Sequence, residues 1–300
     1  MFNRNMSRMV FILALLLLAP SDRSEAQVPP SQGAPKTYVD LTPAELARQV
    51  PELKHLEPAS SPDELPVLLK RVGATVADFF DNFSNTTCIE RTSSMVDTPL
   101  QTSALHYETT LNYLALIKPG PDKTLLREMR TNFQGKVVPP ESSKAVVTIG
   151  FVSMTAHFHP DFQVDSRFRY VGRETVEKKD AYVIAFAQRP DVARHVSQAQ
   201  IGNRKTTVFV QGVAWIDPVS FQILRLRTDI QRPEIDIGVG SETTEIEYSE
   251  VTFQQGGKTL WLPRQVMVTG QLGRDIFRNH HRYSDYRFFL VETNQKQQTP

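Results

Sequence analysis

The chain has 300 residues, 34 Lys+Arg against 33 Asp+Glu, one Cys, and a hydrophobic fraction of 40%. These figures exclude a disordered or collagen-like chain, and the lone Cys excludes a disulfide-stapled mini-protein and a multi-Cys zinc module. Near-neutrality speaks against a nucleic-acid binder, which needs a basic stripe to replace the counterions condensed on phosphate.

Residues 1–26 read as an export signal. Arg4 and Arg8 precede the apolar run from Met9 to Ala19, and a polar stretch ends in Ser24-Glu25-Ala26, with small residues placed for cleavage after Ala26. The apolar run covers about 16 Å of helix against about 30 Å of hydrocarbon, so a spanning anchor is not expected. Cleavage removes Arg4, Arg8, Arg23, Asp22 and Glu25 and leaves balanced charges. The expected address is the periplasm or the exterior, and no later apolar run is long enough to span a membrane, so a soluble mature chain is expected.

Residues 27–41 carry Pro, Gln and Ser without an apolar period and read as a flexible leader. Residues 42–85 form a helical segment. Thr42-Pro43-Ala44-Glu45 is a capping box with Pro at the first helical position, opening a short helix that Pro51 ends. Ser61-Pro62-Asp63-Glu64 repeats the signature. Leu65, Leu69, Val72, Val76, Phe79 and Phe83 then follow at helical spacing, predicting an amphipathic helix of about 20 residues whose first turn Pro66 complicates.

From residue 86 to 293 the reading is a large antiparallel β domain, and residues 294–300 form a disordered tail. Period-2 alternation marks strands over 105–115, 125–133, 168–177, 181–188, 206–217, 222–230, 243–253, 264–272 and 276–293. Most links are short turns, which join antiparallel neighbours, since parallel crossovers need a dozen or more residues. Residues 189–204 and 231–241 read as loops, and residues 144–160 as a buried helix or covered strand. A parity change between Ile246-Tyr248 and Val251-Phe253 predicts a β-bulge near Ser249. In the basic stretch 278–287, Arg278, His280 and Arg282 share one strand face, expected to be solvated.

The chain holds no G-x-S-x-G elbow, H-E-x-x-H, Walker loop or G-x-G-x-x-G. No enzyme is therefore expected, and no cofactor. The best metal candidates are His157 and His159, which would point the same way on a strand with Asp161 and Asp165 nearby; two ordinary His before a Pro turn is the preferred account. Glu245 and Glu247 share a strand face, as paired carboxylates do, but such pairs are ordinary on solvated strands. Cys88 reads as a buried thiol.

The apolar pattern says more. Ala181, Val183, Ala185 and Ala187 alternate with Tyr182, Ile184 and Phe186, and Val208, Val210, Ala214 and Ile216 oppose Phe209, Val213 and Trp215. Strands apolar on both faces meet a helix, another sheet or an apolar ligand on each. A cavity lined by Phe151, Met154, Val210, Trp215, Leu224 and Leu226 is one expectation, and a filled core is the other.

Tyr170-Val171-Gly172-Arg173-Glu174-Thr175-Val176 with Ala181-Tyr182-Val183-Ile184, Gly212-Val213-Ala214-Trp215-Ile216-Asp217-Pro218 with Ile223-Leu224-Arg225, Glu247-Tyr248-Ser249, Leu262-Pro263 and Tyr283-Ser284-Asp285-Tyr286 follow in succession. This succession resembles the outer-membrane lipoprotein-sorting superfamily, the LolA-like proteins of bacterial envelopes, over about residues 100–290. With exported proteins of Acidobacteria the likeness extends to Phe83-Ser84-Asn85 and Cys88-Ile89-Glu90-Arg91, over about residues 62–293.

The resemblance implies an α+β fold: a large curved antiparallel sheet, a half-barrel, with N-terminal helices packed on one side, in the periplasm and enclosing an apolar cavity. Founding members carry the lipid part of lipoproteins, and a related domain in envelope-stress regulators senses mislocalised lipoproteins. The implied partner is thus a lipid or lipoprotein. A non-catalytic envelope interaction or sensor module with a filled core and an envelope protein partner is the alternative. No functional residue of the family falls on a matching motif here.

Overall fold

The computed structural model describes residues 16–17, 36–82, 86–99, 104–118, 125–139, 154–201, 204–253 and 259–288. In chain order these form β1 (Leu16–Leu17), α1 (Pro43–Gln49), β2 (Glu57–Pro58), α2 (Leu65–Asn82), β3 (Thr86–Asp97), β4 (Leu105–Lys118) and β5 (Leu125–Thr131). There follow β6 (Ser166–Val176), β7 (Lys179–Gln188), β8 (His195–Ile201), β9 (Arg204–Val208), β10 (Val210–Ile216), β11 (Ile223–Ile230), β12 (Val239–Thr252), β13 (Thr259–Leu272) and β14 (Asp275–Phe288). The export-signal and tail readings fall almost wholly outside the described residues; of the leader read as flexible, residues 36–41 are described, and there Tyr38 and Leu41 are buried against the sheet.

Eleven strands make one antiparallel sheet in the order β2-β6-β7-β10-β11-β12-β13-β14-β3-β4-β5. From β6 to β14, β8 and β9 excepted, neighbours in sequence are neighbours in space, because each link is too short for a crossover. β3 then docks against β14, and β2 and β5 remain as two separate edges, so the sheet is open. β8 and β9 leave the main sheet and, with β1, form a small one. The resemblance led us to expect this architecture.

The first helix forms as the sequence predicts. Glu45 N–H donates to Thr42 Oγ1 at 3.2 Å, and Thr42 N–H donates to Glu45 Oε2 at 2.7 Å, which closes the capping box. Pro66 is the second residue of α2, where a missing N–H leaves no hydrogen bond unmade. The buried stripe of α2 is Leu68, Val72, Val76 and Phe80, one step round from the predicted one, with Leu65, Leu69 and Phe79 flanking it. Gly73 faces the segment that follows residue 153: a Cβ there would stand 2.7 Å from Gln163 Nε2. That amide in turn donates to the carbonyls of Leu69 and Phe158 at 3.0 and 2.8 Å.

The central strands β7 and β10 are buried on both faces, and each face has its own cover. Ile184, Phe186, Ala214, Ile216 and Leu226 join α2, Met154, Ala156, Phe158, Ala199 and Val208 in one cluster. That cluster continues through Ile246, Val266, Val268 and Phe277 to Tyr283, so the sheet wraps around it, and we call this face the inner one. Ala181, Val183, Ala185, Val213, Trp215 and Leu224 point the other way and meet Tyr38, Leu41, Leu46, Val50 and Leu53. The helices therefore divide between the faces, α1 outside and α2 inside, and do not pack together on one side. Central strands with apolar residues in both phases require this division, since one layer cannot cover two faces.

Three local readings are corrected. Residues 189–204 are not all loop, because β8 occupies 195–201, its polar Ser-Gln sequence hiding a strand whose Ala199 is buried. The predicted strand 206–217 is two, β9 and β10, which belong to different sheets. β3 was not apparent in the alternation, because its inward phase carries polar Glu90 and Ser94. The predicted bulge lies at Glu247/Tyr248, and others interrupt β6, β10 and β14. Such bulges bend the strands that carry them.

Gly172 sits on the β6 bulge with φ 149, and a Cβ there would stand 2.0 Å from the Glu57 carbonyl oxygen. Gly172→Ala is expected to cost at least about 2 kcal/mol and to free β2 from the edge. Urea unfolding should show this, with Gly135→Ala, where a Cβ meets nothing within 4 Å, losing only about 1 kcal/mol.

Candidate ligand-binding site

The six residues read as a cavity lining divide between the two faces. Met154, Val210 and Leu226 belong to the inner cluster. Trp215 and Leu224 belong to the outer one, and Phe151 lies outside the described residues. Adjacent residues of a strand face opposite sides, so the neighbours Trp215 and Ala214, or Arg225 and Leu226, cannot line one space.

On the outer face, residues 52–54, the β6–β7 turn, β12 and β13 bound an open cleft of about 410 Å³. Trp215, Leu224 and Trp261 supply its apolar surface, and Lys54, Lys179, Arg225 and Arg264 stand among Glu52, Glu177, Glu247 and Glu250. Trp261 is fixed by its indole N–H, which donates to the Ile223 carbonyl at 2.7 Å. Lys179 Nζ lies 5.6 Å from its ring centre.

Beside the cleft an ion network ties the N-terminal segment to the sheet. Arg227 lies 3.1 Å from both Glu52 and Glu245 and 3.0 Å from Asp229, and Arg225 is 2.8 Å from Glu245. The Tyr38 hydroxyl donates to Asp229 at 2.9 Å. Glu245 thus pairs with Glu52 across the interface, while Glu247 turns to Arg264 and Gln265. Burial and the Glu52 carboxyl raise the Glu245 pKa, whereas Glu52 is held low, against its own burial, by Glu245 and the two arginines.

The inner face is apolar with polar groups set into it. Glu90 is buried and accepts from Arg130 Nη2 at 2.7 Å and from the Tyr283 hydroxyl at 3.0 Å. Arg130 Nε donates to its second oxygen, and His281 Nδ1 lies 2.9 Å from the first. Against the cost of burial, Arg130 and His281 hold the Glu90 carboxyl well below the usual carboxylate range. Burial lowers the His281 pKa. Glu242 differs: it is 3% exposed, its Oε2 has no hydrogen-bond partner, and burial alone pushes its pKa up to about 8.

The remaining candidates are structural. His157 is buried on a 3-10 turn, not a strand, with its ring 5.1 Å from that of Phe186. His159 ends that turn, packs edge-on to Phe80 and lies 3.7 Å from Asp161. Consecutive turns point the two imidazoles to different neighbours, and among the described residues no three His, Cys, Asp or Glu side chains converge as metal ligands. Cys88 is buried, and Arg278 and Arg282 are exposed. No helix among the described residues is long and apolar enough to cross a membrane.

Two outcomes test these clusters. Arg130→Met leaves the Glu90 charge buried without its main partner and should cost about 3–5 kcal/mol in urea unfolding. Glu242 binds a proton in the folded state from pH 4.5 up to about 8, where the unfolded carboxyl is ionised, so it lowers stability as pH rises through that window. Thermal unfolding of Glu242→Gln should lose that component, its advantage over the parent being larger at pH 8 than at pH 5.

No protein-family model and no curated protein matches the chain. Among solved structures it is similar to a Vibrio parahaemolyticus domain assigned to outer membrane lipoprotein sorting. Identity is 10% over 74% of this chain and 94% of that one, with a TM-score of 0.39. It is also similar to a DUF1329 family protein from Desulfovibrio piger, at 10% identity over 78% of this chain and 96% of that one, with a TM-score of 0.38.

Proposed function

We propose that the chain is an exported periplasmic protein that binds a lipid, a lipoprotein acyl group or another apolar ligand on the inner face of its open sheet. One observation carries this: among the described residues, the apolar inner face extends over many more strands than α2 packs against. The nine strands from β6 to β4 that contribute to the inner cluster span about 38 Å at about 4.8 Å each, whereas a helix with its side chains is about 10 Å across. Among the described residues α2 packs against β6 and the turn at Thr155–Phe158. The apolar positions run on through β12, β13 and β14. An open sheet of this kind offers an acyl chain a long apolar surface with no backbone donor to satisfy.

The mature protein, purified from the native envelope and extracted for mass spectrometry, should release lipid in near-stoichiometric amount, and the emptied protein should bind an acyl fluorophore saturably. Absence of both would overturn the proposal.

The outer cleft favours a second reading, a non-catalytic interaction or sensor module. Indole surfaces ringed by balanced charges suit a polypeptide segment better than an acyl chain. A photo-crosslinker in place of Glu177, at the cleft rim, should then trap one discrete envelope protein in cells; adducts no different from those of an exposed control position would exclude it.

A further inference from the structure

A line of four polar side chains, interrupted by Val268, crosses the inner face. Thr228 on β11 stands opposite Thr244 on β12, Thr244 opposite Val268 on β13, Val268 opposite Asn279 on β14, and Asn279 opposite Ser94 on β3. Directly opposed residues of antiparallel strands point to the same face. All five are buried, between 0% and 4% exposed. Apolar rows flank the line: Leu226, Ile246 and Val266 on one side, Phe277 and Val96 on the other.

Glu242 stands in the second flanking row, two residues from Thr244 on the same face and opposite Gly270. Gly270 adds no side chain there, and the Phe277 ring comes so close that a Cβ on Gly270 would meet it at 2.4 Å. Glu242 thus stands in the row of Phe277, one strand removed, and next to the polar line, and its Oε2 is unpartnered. A buried carboxyl without a partner destabilises a fold that Leu would satisfy better, and such groups concentrate where a ligand supplies the missing bond. Neutral, it offers an O–H, the donor that a carbonyl oxygen needs.

We propose that Glu242, with Thr244 and Thr228 beside it, forms a polar subsite that takes the carbonyl-bearing end of an acyl chain lying on the inner face. This rests on the reading of the inner face as the ligand-binding surface. The hydrocarbon follows the apolar rows, and the carbonyl oxygen accepts from the Glu242 hydroxyl. The subsite fixes where along the sheet the chain begins.

Three fluorescent probes separate the subsite from the surface: pyrenedecanoic acid, its methyl ester, and decylpyrene, which has no carbonyl. The delipidated mature protein should bind the acid or the ester about tenfold tighter than decylpyrene, the factor one well-made hydrogen bond gives. Preference for the acid over the ester identifies a free carboxyl end, and equal affinity an acyl ester. Glu242→Leu should abolish the preference and leave decylpyrene binding unchanged, and Glu242→Gln, which keeps a donor, should retain it. Unfolding curves confirm that both variants are folded. Unchanged preference in a folded Glu242→Leu overturns the subsite alone. If no probe binds the parent protein, the inner-face reading itself fails and the subsite with it.

Discussion

Every layer of this molecule answers to one constraint, the burial of strands β7 and β10 on both faces. In these strands Ile184, Phe186, Ala214 and Ile216 point one way and Val183, Ala185, Val213 and Trp215 the other, and none of the eight is exposed. A sheet of this kind cannot leave either face to water. The chain meets the demand by sending residues 37–56 to the outer face and α2, with the turns after residue 153, to the inner one. The outer cover is short and is locked by Glu52 between Arg225 and Arg227. Among the described residues the inner cover is one long helix with the turns after residue 153 and the small sheet of β8 and β9, on a wider surface. That asymmetry of cover makes the inner face the natural place for an apolar guest.

Polar groups inside the sheet carry two different messages. Glu90 is satisfied from three sides by Arg130, Tyr283 and His281, so its charge is kept and ties β3, β5 and β14 together; a network so complete is structural. Glu242 is held by nothing comparable and stays neutral. Two glutamates on one face of one sheet therefore differ in their pKa because one has an arginine beside it and on the other burial acts alone. The outer pair of Glu52 and Glu245 is intermediate, two carboxyls sharing two arginines at an interface between segments far apart in sequence.

Much of the fold was legible. The capping box at Thr42, the strand hairpins, the bulge after Glu247 and the two-sided apolar strands all follow from local chemistry that tertiary contacts did not override. β3 and β8 were not, since their inward phases carry Glu90, Ser94 and Ser197, and alternation reads polarity and not burial. The helices' division between faces was only implicit: the sequence shows that both faces need cover but not which segment reaches which. Of the candidate site, the sequence marks Trp215, Leu224 and Leu226 alike as apolar, and only the register sorts the first two to the outer face and the third to the inner. Glu242 was legible in principle. It lies four residues before Ile246 and thus on the inner face, yet the flanking Ser241, Thr243 and Glu245 made it look like part of a solvated strand.

The central claim concerns place: an apolar ligand lies on the inner face, between α2 and strands β12 to β14. Hydrogen exchange of the delipidated and the acyl-saturated protein, compared by peptide, tests it most directly. The account predicts added protection in α2 and in β12 to β14, with residues 37–56 unchanged. Protection confined to the outer cleft around Trp261 would contradict it.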